Sequence, residues 1–280
     1  MCSSDLHALR FLTALRPPTD HETLARLSVC DVDAYLKQCC NGLRRASIED
    51  YTVCLRDFLR HLHRRGHTAV DLSGTVIGPR LYDHESIPSA LRPEEVKRVL
   101  EVTREDHSPI GLRDYAVLML LGTYGLRAAE IVKLRLEDID WRRDVIRVRH
   151  SKTGTYSELP LLRKVGEAVL RYLQKGRPRS VHREVFLRFH APHRPFKEGS
   201  ILHCVTSARL KAAGITPQGR KGPHAFRHAR AVSLLRSGVP LKVIGDVLGH
   251  TSAAAVGVYL KLATEDLRAI GLELPKEVLP

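Results

Sequence analysis

A chain of 280 residues is long enough for two modest domains or one large one. Its hydrophobic fraction of 43% and charged fraction of 27% are those of an ordinary soluble globular protein. No apolar run is long enough to cross a bilayer, and residues 1–20 lack the basic, apolar and cleavage regions of a secretion signal. These features argue against a membrane protein and against a secreted one.

The cysteines give no sign of a metal site. The six stand at positions 2, 30, 39, 40, 54 and 204, without paired Cys-x-x-Cys spacing and matching histidines. The pattern therefore predicts no bound zinc, and reduced thiols in a cytoplasmic protein.

The positive charge is unevenly distributed. The formal net charge is +14, yet residues 1–90 hold 11 basic and 11 acidic side chains, so residues 91–280 carry the whole excess. A basic surface attracts polyanions, and phosphate neutralisation with counterion release would explain the excess. A surface that is basic only for solubility explains the charge equally well.

The first part of the chain has the pattern of a small helical domain. Apolar residues at three- and four-residue spacing predict a helix over 47–65, a weaker one over 22–38 and a short one over 6–15. Glycines and prolines from about residue 71 to 88 are typical of a linker. We set the domain at 1–85 and the linker proper at 86–90.

The second part predicts a mixed domain over 91–280. A helix is expected to begin near Pro93, and residues 112–124 are apolar enough for a buried helix. Strand-like runs at 145–149 and 156–159 flank a Ser-Lys-Thr-Gly turn, and several helices follow. The predicted fold class is mainly α with a small antiparallel β-hairpin.

Two groups of polar residues precede the final helices. Arg127 and Glu130 stand three apart just after the buried helix, so both project from one face. Lys152 lies in the turn of the predicted hairpin. Taken singly, the first two are most simply a surface ion pair and the third a solvated turn residue.

A third group lies towards the end of the chain. His224 and Arg227 again share a helical face, and His250 follows Gly249, a glycine that would end a helix. Tyr259 comes nine residues after His250. A capping or core histidine and a half-buried tyrosine are the ordinary explanations of such residues, but their joint occurrence in this order argues for a shared site.

These motifs resemble those of the tyrosine recombinase (phage integrase) family over about residues 91–270. The block from Arg113 to Asp140, with its Gly-Leu-Arg-Ala-Ala-Glu at 125–130, is similar to the family's first arginine box. His-x-x-Arg-His at 224–228 and Leu-Gly-His at 248–250 are similar to the second. The resemblance implies a helical DNA-clamp (core-binding, SAM-like) domain followed by an α+β catalytic domain.

The resemblance also implies a role for each residue. Arg127 and Arg227 would grip the scissile phosphate, and Lys152 would protonate the leaving 5′-oxygen. His224 would act as the acid–base, and His250 would donate a hydrogen bond to the phosphate. Glu130 would be the supporting acid, and Tyr259 would be the nucleophile.

The chemistry of the side chains agrees with these roles. Two guanidiniums can bind the non-bridging oxygens of a phosphodiester bidentately while staying charged, so no Mg²⁺ site or other cofactor is needed. A tyrosine with a pKa of about 10 needs a proton acceptor or a cationic pocket to attack near neutrality. A phosphotyrosyl link conserves the energy of the bond, and the sequence has no Gly-rich phosphate loop for ATP.

The chain departs from the family pattern in two places. Gly257 lies in an unusually small and apolar stretch before Tyr259, and it would loosen a helix there by roughly 1 kcal/mol relative to alanine. The first domain resembles the family's clamp domain only in length and helicity, and we expect it to be truncated at its N-terminus.

The expected function is site-specific recombination of double-stranded DNA by a homotetramer on paired sites, with no membrane or small-molecule partner. The final segment, 267–280, is expected to dock on a neighbouring protomer or on its own chain. A type IB DNA topoisomerase and a catalytically silent DNA-binding protein on the same scaffold are the alternatives.

Overall fold

The computed structural model describes residues 3–15, 21–81, 91–150, 154–217 and 222–249. The chain divides into two units, Met1–Glu85 and Ser86–Pro280. The described part is mainly helical with a small three-stranded antiparallel sheet, which confirms the predicted fold class. Within the described ranges, no helix is long and apolar enough to span a membrane.

The described part of the first unit is helical. Its helices are α1 (Ser3–Ala14), α2 (His21–Ala25), α3 (Val29–Cys40) and α4 (Arg45–Arg64). The predicted helices over 6–15 and 47–65 are therefore present, each starting a few residues earlier than expected. Their apolar faces surround a small core built from Phe11, Val32, Tyr35, Leu55, Leu59, Leu62, Leu72 and Val76.

The prediction of one continuous helix over 22–38 is wrong, because Ser28 starts a new helix. The side chain of Ser28 accepts a hydrogen bond from the backbone N–H of Asp31. The carboxylate of Asp31 in turn accepts from the backbone N–H of Ser28 at 2.9 Å, and hydrogen bonds from Ser28 hold the pKa of Asp31 below its ordinary value. This reciprocal cap separates α2 from α3.

The predicted linker begins later than residue 71. A short 3₁₀ helix spans Leu72–Thr75, and the side chains of Leu72 and Val76 are buried in the core of the first unit. The guanidinium of Arg56 on α4 donates to the carbonyl oxygen of Val76 at 3.1 Å. Residues 72–76 therefore belong to the first unit, and residues 82–90 lie outside the described part.

The second unit holds the sheet and the remaining helices. In chain order these are α5 (Pro93–Arg104), α6 (Pro109–Tyr124), α7 (Ala128–Val132), β1 (Ile139–Asp140), β2 (Val145–Arg149), β3 (Tyr156–Pro160), α8 (Arg163–Lys175), α9 (Ile201–Ala212), α10 (Pro223–Arg236) and α11 (Leu241–Leu248). The helix predicted near Pro93 and the strands predicted at 145–149 and 156–159 are confirmed.

Helix α6 is the centre of this unit, as its apolar sequence predicted. Five of its side chains are fully buried, namely Ala116, Val117, Leu118, Leu120 and Leu121, and it packs against α5, α8 and α10. The hydroxyl of Tyr124 donates to the carbonyl oxygen of Pro160 at 2.7 Å and accepts from the N–H of Leu162 at 3.0 Å. These bonds fix the end of α6 to the end of β3, and burial raises the pKa of Tyr124.

The sheet has the strand order β1–β2–β3 with both pairs antiparallel. Strand β1 is only two residues long and was not predicted. Along β2 the side chains of Ile146 and Val148 are buried, whereas Arg147 and Arg149 are exposed. This alternation carries one face of the hairpin into the core and leaves a basic face outside.

An ion-pair network joins α9 to the start of α6. The guanidinium of Arg209 contacts the carboxylate of Asp114 at 2.8 Å and that of Asp106 at 2.7 Å. Asp114 also pairs with Arg113 at 2.8 Å, and its side chain is only 6% exposed. Removing one member would leave a poorly solvated charge, which is costly.

Replacing Arg209 by methionine should destabilise the second unit by about 1.5–3 kcal/mol, because Asp114 keeps Arg113 as a partner but loses its charge-assisted hydrogen bond to Arg209. Arg163→Met is the matched control, since the Arg163–Glu167 pair has side chains 91% and 62% exposed. The control should change the free energy of unfolding by roughly 0.5 kcal/mol or less. Urea unfolding measures both, and equal costs would contradict a stabilising role of the network.

Candidate active site

The first part of the site is the N-terminus of α7, where Arg127 and Glu130 meet. Helix α6 ends at Tyr124 and is capped by Gly125, whose backbone is left-handed at φ +67°. Arg127 then caps α7, which begins at Ala128. The Glu130 carboxylate accepts from the backbone N–H of Arg127 at 2.7 Å and from its guanidinium at 2.9 Å. The pair therefore caps the helix and fixes the arginine side chain at the same time.

The second arginine, Arg227, extends from α10 into the interior and is 3% exposed. Its Nη1 donates to the carbonyl oxygen of Gly125 at 2.7 Å, and its Nη2 donates to that of Leu248. Arg227 thus ties α10 to the α6–α7 loop and to the end of α11. A buried guanidinium needs such acceptors, because a charge without partners is costly in the interior.

Both arginines meet at the C-terminal turn of α11. Arg127 Nη2 donates to the carbonyl oxygen of Gly249 at 2.9 Å, and Arg227 binds the preceding carbonyl, that of Leu248. The last carbonyls of a helix have no partner within the helix and form the negative end of its dipole, so cations are favoured there. Two guanidiniums from separate elements are thereby brought to adjacent peptide groups.

A histidine outside the predicted set completes this cluster. His150 follows directly after β2 and is 4% exposed. Its Nδ1 lies 3.1 Å from Glu130 Oε1, and its Nε2 lies 2.7 Å from the hydroxyl of Ser157. The alternation along β2 was a usable signal, since it assigns residue 150 to the same inward face as Ile146 and Val148.

Gly249 ends α11, as the sequence predicted, and its backbone is left-handed at φ +61°. Its close neighbour gives a second reason for glycine. A Cβ atom at this position would lie 2.5 Å from Nδ1 and Cε1 of His150. The backbone of the Leu-Gly-His motif therefore packs directly on the imidazole.

His224 lies in the first turn of α10 and is exposed. Three residues separate it from Arg227, so the two share one side of the helix. Its ring centroid is 6.5 Å from that of His203 on α9 and 6.4 Å from that of His228. The three rings do not stack at these distances, but they form a cluster of imidazoles at the start of α10.

A third guanidinium, that of Arg230, belongs to the same helix. Its stem packs beside Gly125, and its Nε is buried with no hydrogen-bond partner among the described residues. Burial lowers the pKa of Arg230 from its ordinary value. Arg230 was not among the predicted site residues, since a lone arginine in a helix carries no distinguishing pattern.

Several predicted site residues lie outside the described part of the chain. They are Lys152 in the β2–β3 turn, His250 directly after Gly249, and Tyr259. Gly257 and the predicted docking segment 267–280 are outside it as well. The structure brings three predicted site residues together: Glu130 binds Arg127 directly, and Arg127 and Arg227 bind neighbouring backbone carbonyls at the end of α11. His224 lies on the same helix as Arg227.

The chain belongs to the phage integrase family, whose sequence pattern matches residues 89–266. The integrase/recombinase y4gC of Sinorhizobium fredii is 54% identical over 68% of this chain and 97% of its own length. The integrase/recombinase y4rA of the same organism is 40% identical over 91% of this chain but only 61% of its own length. Tyrosine recombinase XerD of Lacticaseibacillus casei is 29% identical over 85% of this chain and 80% of XerD.

Solved structures of tyrosine recombinases have the same fold. The site-specific recombinase XerH, bound to its difH substrate before cleavage, matches 96% of this chain and 78% of its own with a TM-score of 0.71 and 16% identity. A lambda integrase tetramer bound to a Holliday junction matches 92% of this chain and 72% of its own, with a TM-score of 0.66 and 16% identity.

The contact between Gly249 and His150 is open to a direct test. Gly249→Ala should destabilise the second unit by about 1 kcal/mol from the left-handed backbone, plus about 1–3 kcal/mol from the clash with the imidazole. Gly238→Ala is the matched control, because Gly238 has φ +75° and a methyl group there would meet nothing within 4 Å. The two variants are compared by urea unfolding. Equal losses in the free energy of unfolding would show that the His150 ring moves aside without a measurable penalty.

Proposed function

We propose that this protein is a site-specific DNA recombinase that cleaves and rejoins double-stranded DNA through Tyr259, by way of a 3′-phosphotyrosyl intermediate and without metal or ATP. One observation carries the proposal. The guanidiniums of Arg127 and Arg227, which come from separate elements, converge on the two peptide carbonyls directly before His250. Membership of the phage integrase family supports it.

Arg127 is suited to hold a phosphodiester. A guanidinium has five N–H donors, and the side-chain hydrogen bonds of Arg127 to Glu130 and Gly249 use two of them. Its side chain is 16% exposed, so part of it is accessible from outside. Fixed cationic donors stabilise the negative charge that builds on the non-bridging oxygens in the five-coordinate transition state, and they need no reorganisation during the reaction.

The proposed cleavage step balances as a transesterification. The phenolic oxygen of Tyr259 forms a bond to phosphorus while the bond from phosphorus to the 5′-oxygen breaks. His224 accepts the phenolic proton, and Lys152 donates a proton to the leaving 5′-oxygen. His250 donates a hydrogen bond to the phosphate, and Glu130 orients Arg127.

Rejoining is the reverse of cleavage. A 5′-hydroxyl attacks the phosphotyrosyl phosphorus, and the phenol of Tyr259 leaves with its proton restored. Because the covalent link keeps the energy of the phosphodiester, the exchange of strands needs no nucleoside triphosphate.

We propose that a homotetramer on paired sites performs the exchange. The support is the similar fold of lambda integrase, which was solved as a tetramer bound to a Holliday junction. The setting we propose is the bacterial cytoplasm, with unit 1–85 as a DNA clamp.

The decisive experiment is the capture of a covalent protein–DNA adduct. A set of nicked duplexes that tile the DNA on both sides of the gene is incubated with the wild-type protein and with Tyr259→Phe, with and without EDTA. An adduct should form with the wild-type protein on some duplexes, survive EDTA, and be absent with Tyr259→Phe. The absence of any adduct would instead support a silent DNA-binding protein.

A supercoiled plasmid that lacks these flanking sequences separates the recombinase from a type IB topoisomerase. The recombinase should leave it supercoiled, because cleavage requires a recognised site and its partner. Rapid relaxation at random positions would contradict the proposal and favour the topoisomerase.

Arg127→Ala should lower the single-turnover rate of adduct formation by about 10²- to 10³-fold, the usual cost of losing one preorganised donor to a transition state. DNA affinity should stay nearly unchanged, because a single phosphate contact is a small part of a large interface. Arg171→Ala, an exposed arginine on α8, is the control and should leave both quantities unchanged. Loss of affinity and rate in equal proportion would show that Arg127 serves only in binding.

A further inference from the structure

We infer that His150 is a positioning residue of the cleavage site, which holds Glu130, and through it Arg127, in register with the β2–β3 hairpin and with the turn at Gly249. This inference rests on the proposed function, since it assigns a part in that reaction to a side chain that does not touch DNA itself.

The hydrogen bond to Glu130 places a proton on Nδ1 of His150. The Glu130 carboxylate is 1% exposed and already accepts from Arg127, so it is the charged partner of the guanidinium. A carboxylate only accepts, so His150 Nδ1 carries a proton and donates to Glu130 Oε1. Nε2 is paired with the hydroxyl of Ser157 on β3, a group that can both donate and accept.

His150 and Arg127 share a single acceptor atom. Nδ1 of the imidazole and Nη1 of the guanidinium both bind Glu130 Oε1, at 3.1 Å and 2.9 Å. The other carboxylate oxygen is occupied by the backbone N–H of Arg127. The imidazole therefore adds a third hydrogen bond to the carboxylate and helps to hold it in the orientation that binds the guanidinium.

The position of His150 links three elements that carry the proposed catalytic residues. Along the chain it stands two residues before Lys152, and its ring touches Glu130 on α7. Its other contact is the backbone of Gly249, the residue before His250. A buried histidine needs partners for both ring nitrogens in any role. What supports a positioning role is where these partners lie, since they are on the hairpin and on the carboxylate that holds Arg127, and the ring also packs against the final turn.

Three substitutions separate the parts of this role. His150→Phe keeps a flat ring beside Gly249 but removes both hydrogen bonds. His150→Asn keeps a donor near the position of Nδ1 and loses the bond to Ser157. Ser157→Ala removes only the hairpin bond at a half-buried position and is the mildest change. His107→Phe, at an exposed position in the α5–α6 loop, is the control.

The first measurement uses the full-length protein without DNA, and so does not depend on a known target site. Nitrogen-15 NMR should show a proton on Nδ1 of His150 and one sharp side-chain signal for Arg127. His150→Phe should broaden or shift the Arg127 signal, while His150→Asn and His107→Phe should retain it. An Arg127 signal that is unchanged in His150→Phe would overturn the inference, whatever the protein does to DNA.

The second measurement is the single-turnover rate of adduct formation, at saturating concentration, on a flanking duplex that the wild-type protein cleaves. His150→Phe should lower this rate by about 10- to 100-fold, as expected when a group that acts on the reacting atoms is displaced. DNA affinity should be unchanged, His150→Asn should restore most of the rate, and Ser157→Ala should cause a smaller loss. A fall in rate that only follows the fraction of folded protein would mean that His150 is structural, and the inference would be wrong.

A modified substrate identifies which group is displaced. Sulfur in place of the 5′-bridging oxygen gives a leaving group that needs no proton, so it relieves a defect in Lys152 but not one in Arg127. The His150→Phe defect should persist on this DNA, and its disappearance would overturn a role exerted through Arg127. If the wild-type protein cleaves no duplex at all, the proposed function is wrong, and the Arg127 signal alone then decides whether His150 positions that side chain.

Discussion

The described site depends on the hydrogen bonds of one buried group, the carboxylate of Glu130. It accepts from the backbone of Arg127, from the guanidinium of the same residue and from His150. At 1% exposure the carboxylate depends on these donors, because burial of an unpaired charge is costly. Its hydrogen bonds therefore hold together the start of α7, the side chain of Arg127 and the base of the hairpin.

The arginines combine a structural part with the proposed catalytic one. Arg127 and Arg227 satisfy carbonyl groups at the end of α11, where the helix itself has no donors left. Arg227 also binds the carbonyl of Gly125, so the end of α6 is held to the same point. The guanidiniums are thus oriented without a ligand, which is the preorganisation that the proposed electrostatic catalysis requires.

Much of this could be predicted from local patterns. The apolar run at 112–124 indicated the buried helix α6, the alternation at 145–149 indicated a strand, and Gly249 indicated the end of α11. The break at Ser28 was missed because apolar spacing continues across it, although the reciprocal cap with Asp31 was readable. Strand β1, with two residues, was too short to leave a periodic pattern.

The sequence by itself determined which residue types are available and in which order, and this was enough to indicate the phage integrase family. The roles proposed for Lys152, His250 and Tyr259 still depend on that order, since these residues lie outside the described part of the chain. Only the tertiary structure decided that Arg127, Arg227 and His150 converge, because their partners are 122, 21 and 20 residues away along the chain. Hydrogen bonds between such distant groups follow from how α6, α10, α11 and the sheet pack, and no local pattern encodes that packing.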